Sequence, residues 1–166
     1  MARHILISDG PAQPNPADID AFWERACEQH LDLGGDYQVR SLGIDAETTT
    51  QILEYIKTRD KVATFSLPWV IEANGFPHPE PGTPIVLCDY VGQPHLIVRL
   101  TDVRETTFGE IGYAESSLDG PPVKDPDVWI PLHRQYWNGL LAAYGRECTD
   151  DMPVLIEPFD YISEVY

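Results

Sequence analysis

A lysine, a threonine and a serine stand at positions 61, 64 and 66 of the stretch YIKTRDKVATFSL, residues 55–67. An amine that loses its proton in a partly dry site is a nucleophile or a base, and a hydroxyl three residues on can share the ligand and carry its proton. Lys61 and Thr64 are placed to act on one ligand, while a lysine just past a helix is, from its position alone, a solvated side chain. The same stretch gathers Lys57, Arg59 and Lys61, three of only eleven Lys and Arg residues in a chain of formal net charge −16. Lys57 and Arg59 suit the negative end of a helix closing there, whereas Lys61 lies past it. A looser second group is Arg99 and Arg104. If Arg99 faces Lys61, the two make a compact anion site, with the guanidinium fork giving geometry and the lysine giving charge.

Ser66 extends the hydroxyl row of Thr64 along a strand, and such a row either faces a ligand or lines a partly exposed face. Tyr55 stands two residues before Lys57 and either lines the same cleft or packs in the core. Trp129, His133, Tyr136 and Trp137 recur at helical spacing, which makes them core residues first, with His133 the member nearest a cleft. His78 and His95 have no partners at metal-ligand spacing, so no metal and no cofactor are expected.

The charge balance limits the partners. With 27 Asp and Glu, the chain is unsuited to tracking a phosphate backbone, which needs many Lys and Arg contacts, so an extended duplex is excluded. Any nucleic-acid ligand must be small or locally bound. The apolar runs are all too short to span a bilayer, and Ile5-Leu6-Ile7 is too brief for a secretory core. Cys27, Cys88 and Cys148 are odd in number and far apart, which suits a reducing cytoplasm.

Residues 1–16, with SDGPAQPNP at 8–16, are expected to form an N-terminal extension, and residues 17–166 one domain. Ile19, Phe22, Trp23, Ala26 and His30 share one face of a helix over 17–31 closed by Gly34-Gly35. YQVRSLGI reads as an extended segment, and Thr48-x-x-Gln51 as the capping box of a helix over 46–58. Strand character marks 62–67, 84–90 and 94–103, the last two joined as a hairpin through VGQP. The proline-rich 75–84 is a loop, and 108–127 holds one helical turn and a Gly/Pro-rich stretch. A helix capped by Asp127 follows and closes at Gly145, and PVLIEPFDYI is a final strand whose Pro158 predicts an edge or a bulge. Helices followed by clustered strands predict an α+β fold, a small curved antiparallel or mixed barrel with helices packed outside.

The ordered motifs FW (22–23), YQVRSLG (37–43), DKVATFSL (60–67), PEPGT (79–83), WIPLHRQYW (129–137) and DDMPVLIEPF (150–159), with the strand 94–103, resemble the ASCH domain family over nearly the whole length. The resemblance implies a PUA-like barrel with a cleft for nucleotides or RNA. Lys61, Ala63, Thr64, Ser66 and Leu67 match the family's G-K/R-K-T-A-T-x-S-L stretch, while Arg59, Asp60 and Val62 depart from it. Small bacterial members remove the acetyl group from N4-acetylcytidine with the matching lysine and threonine and a glutamate on a later strand; others are ribonucleases or RNA-associated cofactors. The glutamate's position falls on Arg99, with Asp102 the nearest carboxylate. The resemblance thus implies either an amidohydrolase or ribonuclease, or a non-catalytic nucleotide- or RNA-binding module.

Overall fold

The computed structural model describes residues 3–6 and 13–165. Its elements run β1 (Arg3–Leu6), α1 (Pro16–Gln29), β2 (Tyr37–Ser41), α2 (Ala46–Lys57), β3 (Ala63–Ser66), α3 (Pro68–Asn74), β4 (Pro84–Cys88), β5 (Pro94–Leu100), β6 (Arg104–Thr107), α4 (Tyr113–Ser116), α5 (Pro126–Leu141) and β7 (Pro153–Glu164). The strands hydrogen-bond in the order β1-β2-β4-β5-β7-β3, with β6 also on β7. The β1–β2 and β2–β4 pairs are parallel and the other pairs are antiparallel, so the sheet is mixed. Part of the expected N-terminal extension is thus a strand of the sheet, and residues 1, 2 and 7–12 lie outside the described residues.

All five residues of β4 are buried, because the strand has a helix over each face. Val86 and Cys88 join Val39 and Ile97 beneath Ile19, Phe22, Trp23 and Ala26 of α1. Ile85 and Leu87 join Leu96, Val98 and Leu100 beneath Leu53 and Ile56 of α2. A third cluster packs Trp129, Trp137 and Leu141 of α5 against Leu67, Phe108, Met152 and Val154.

The sheet curls into a half-barrel. Two strands separate β2 from β7, so in a flat sheet they would stand about 14 Å apart. Yet Arg40 of β2 reaches Glu157 of β7 with an N–O distance of 2.9 Å. The two side chains meet across the concave face.

Local details differ from the expectations for identifiable reasons. α2 is capped by Asp45, whose Oδ1 accepts the Thr48 amide at 2.7 Å, and not by a box beginning at Thr48. Likewise α5 starts at Pro126 behind Asp125, and Pro131 lies inside it. α3 was not anticipated, although Pro68 at its first position and Gly75 at φ 65° after its end are ordinary helix punctuation. Pro158 stands at a break in the ladder: β3 pairs it through Ala63 on one side, while on the other the β5 pairing ends at Phe159 and the β6 pairing at Ile156. Its carbonyl accepts from Thr101, and its nitrogen points the same way, into the gap between the end of β5 and the start of β6. The missing N–H therefore costs the ladder nothing there.

Candidate functional site

Lys61 is delivered by the end of α2. The amides of Asp60 and Lys61 both donate to the Tyr55 carbonyl, at 2.9 and 3.0 Å, and Arg59 takes up the left-handed conformation at φ 64°. This reversal points the chain into β3. The Val62 amide then donates to the Leu118 carbonyl, docking the turn at 117–120 beside β3. That approach requires Gly120, where φ is +83° and a Cβ would lie 2.9 Å from the Asp60 carbonyl oxygen. The turn thereby brings Asp119 to Lys61.

Lys61 is 4% exposed, and its ammonium donates to Asp119 Oδ1. The other oxygen of Asp119 accepts from Trp129 Nε1 at 2.8 Å and lies 3.5 Å from His133 Nε2. His133 stacks on Trp129 with ring centroids 3.8 Å apart, and its Nδ1 lies 2.9 Å from the Trp129 carbonyl oxygen. Burial pushes the His133 pKa down, against the opposing pull of Asp119. A carbonyl can only accept, so Nδ1 carries a proton and Nε2 is the ring nitrogen turned toward Asp119.

A second polar group occupies the concave side of β3. Thr64 pairs with Glu157 across β3 and β7, which sets Thr64, Ser66 and Glu157 on one face. Glu157 is fully buried; its Oε2 accepts from the Ser66 hydroxyl at 2.7 Å and its Oε1 from Arg40 Nη2 at 2.9 Å. Gln38 holds Arg40 from behind, its Oε1 accepting from Nε at 3.0 Å and from Nη2 at 2.7 Å. The Thr64 hydroxyl makes no hydrogen bond among the described residues. Gln38 also lines a cavity of about 260 Å³ with Asp36, Tyr37, Pro77, His78, Glu80 and Thr83, under the expected proline-rich loop. This volume is below the usual range for a ligand site, about 300–1,000 Å³. A hollow of about 570 Å³ on the outside of α5, lined by Ile130, Pro131, Arg134, Gln135 and Asn138, contains none of these buried charged groups.

Of the residues singled out in the sequence, Lys61 and His133 meet through Asp119, and Thr64 and Ser66 flank Glu157. Tyr55 is half-buried and contributes its carbonyl to the turn before Lys61. Arg99 has a different partner: its Nη1 donates to Asp32 Oδ2 at 2.9 Å, and this bond pulls the Asp32 carboxyl down. The expected Arg99–Lys61 cluster is not formed, because each cation is held by its own carboxylate. Gln38, Arg40, Asp119 and Glu157 were not anticipated. Gln38 and Arg40 alternate with Tyr37 and Val39, and Glu157 interrupts the apolar run of β7, so both carried a readable signal. Asp119 had only the Asp-Gly turn.

Two solved structures share the fold. A protein from Enterococcus faecalis V583 superposes with a TM-score of 0.79 at 19% identity over 90% of both chains. The ASCH domain from Lactobacillus crispatus JV V101 superposes with a TM-score of 0.75 at 18% identity, over 87% of this chain and 91% of its own. No curated protein matches the sequence. The sequence profile of the ASCH domain matches residues 40–163, a span that includes Arg40, Lys61, Thr64, Asp119 and Glu157, and the chain belongs to the ASCH domain family.

Proposed function

We propose that this ASCH domain binds a nucleotide, a modified nucleobase or a short RNA end beside β3 and hydrolyses a small amide of the N4-acetylcytidine kind. The observation that carries the reading is the buried pair of Lys61 and Asp119, with Thr64 three residues on at the start of β3 and its hydroxyl unbonded among the described residues. Asp119 supplies the carboxylate that the alignment to Arg99 lacked. In a dry site, passing the Lys61 proton to Asp119 removes two buried charges, which leaves a free amine. That amine takes a proton from the attacking water as the new C–O bond forms. The tetrahedral intermediate then breaks its C–N bond, and the Lys61 proton passes to the departing amine, with Thr64 as relay. A carboxylic acid and an amine are released, and the pair returns to its starting state.

A second reading, a non-catalytic nucleotide-binding module, is favoured by the closed Lys61–Asp119 contact, which occupies both groups. Incubation of the pure protein with N4-acetylcytidine, with chromatography for cytidine, separates the two. Release that is lost in Lys61→Ala and in Asp119→Asn supports the hydrolase. No release from the unmodified protein moves the assignment to the binding module.

A further inference from the structure

We infer that Arg40 is a substrate-binding residue whose free guanidinium edge, together with the Thr64 hydroxyl, receives a neutral carbonyl oxygen of the ligand. The inference rests on the reading of the site above and gives the ligand a chemical class.

The bond inventory of Arg40 is incomplete on one side only. Nε and Nη2 are engaged by Gln38 and Glu157, while Nη1 makes no hydrogen bond among the described residues. Two donors thus remain on a side chain 5% exposed. The buried polar side-chain atoms without a partner are Trp23 Nε1 and Thr49 Oγ1, so neither Arg40 Nη1 nor Thr64 Oγ1 is sealed in the core. Both reach accessible space. Both are neighbours of Glu157: Arg40 donates to its carboxylate, and Thr64 is the residue paired with it across the strands. A guanidinium held on its other edge by Gln38 and Glu157 presents these two remaining donors to that space in a fixed orientation, which suits it to receive an acceptor.

Charge decides which acceptor. Glu157 cancels Arg40, Asp119 cancels Lys61 and Asp32 cancels Arg99, so each of these three cations is already matched. The cavity beyond Gln38 adds Asp36 and Glu80 and has no Lys or Arg in its lining. A phosphate or carboxylate would meet net negative surroundings there. An amide or pyrimidine carbonyl, by contrast, takes hydrogen bonds from the Arg40 edge and the Thr64 hydroxyl without bringing a charge.

The test uses the full chain with Arg40 guanidinium nitrogens observed by NMR, titrated with uracil, acetamide, acetate and inorganic phosphate. Saturable shifts of Arg40 with uracil or acetamide, larger than those with acetate or phosphate, are expected. In parallel, Arg40→Lys keeps a charge for Glu157 and removes the fork, and is expected to weaken N4-acetylcytidine binding by about tenfold or more. Should that variant not fold, the double replacement Arg40→Gln with Glu157→Gln, which leaves no buried charge, is measured instead. An Arg40 signal indifferent to every carbonyl probe, or moved most by phosphate, overturns the inference. Cytidine release with a silent Arg40 sinks this inference alone, whereas Arg40 shifts without any release sink only the hydrolase reading.

Discussion

Lys61 and Asp119 are an ion pair with side chains only 5% and 11% exposed, formed between residues 58 positions apart in sequence. Neither charge has bulk water to fall back on. Removing one partner of a buried pair typically costs about 3–5 kcal/mol, because the other charge is left uncompensated. Lys61→Met is expected to cost stability in that range, and the double replacement with Asp119→Asn less than the two single changes summed. Urea unfolding of the four proteins reads this directly, and strict additivity would mean that the contact is not maintained in solution.

The pH dependence follows from His133. Its folded-state pKa is held below the ordinary value by burial, so the native ring resists protonation. As pH falls below about 6.5, the unfolded chain takes up a proton that the native state does not, and stability declines until the lower native pKa is reached. Thermal unfolding between pH 7.5 and 5 is expected to show this decline, with a shallower slope in His133→Gln. Equal slopes would show that other groups carry the dependence.

Two backbone positions near the site make opposite predictions. Gly120→Ala places a Cβ 2.9 Å from the Asp60 carbonyl oxygen at φ +83°, a cost of about 1–3 kcal/mol. It also displaces the turn that carries Asp119, so the proposed hydrolysis of N4-acetylcytidine falls along with melting temperature. Arg59 is a left-handed residue at φ 64°, where glycine relieves about 1 kcal/mol but gives up the guanidinium contact with the Tyr161 ring at 5.7 Å. Arg59→Gly is therefore expected to leave stability unchanged or to raise it slightly.

Thiol reactivity orders the cysteines. Cys88 is fully buried in β4, and burial pushes its pKa up to about 12, whereas Cys27 is half-exposed. A thiol-specific reagent at neutral pH is expected to modify Cys27 first in the native protein and Cys88 only on unfolding. Early labelling of Cys88 would mean that the sheet between α1 and α2 opens readily.

The sequence made the helices and the hairpin legible wherever a single element decided the pattern. The apolar stripes of α1 and α2 and the Val-Gly-Gln-Pro turn lie within one or two residues of where the structure has them. Cap positions moved because Asp45 and Asp125 compete with nearby polar residues that read equally well. Partners set by the curl of the sheet were not legible. Arg40 meets Glu157 across 117 positions, and Arg99 turns to Asp32 in the loop after α1, pairings fixed by strand order and not by local spacing. Asp119 belongs to the same class, since a single acidic residue in a turn gains a role only when the turn docks.

β7 is bonded by β3 on one side and by β5 and β6 on the other, and all three precede it in the chain. During synthesis, therefore, α1, α2 and the β4–β5 hairpin can assemble while β3 and β6 still lack their partner. Arg40 and Ser66 likewise wait for Glu157. The candidate site is then a late product of folding, and slowing the arrival of β7 would leave β3, β5 and β6 each with an unpaired edge before it cost any helix.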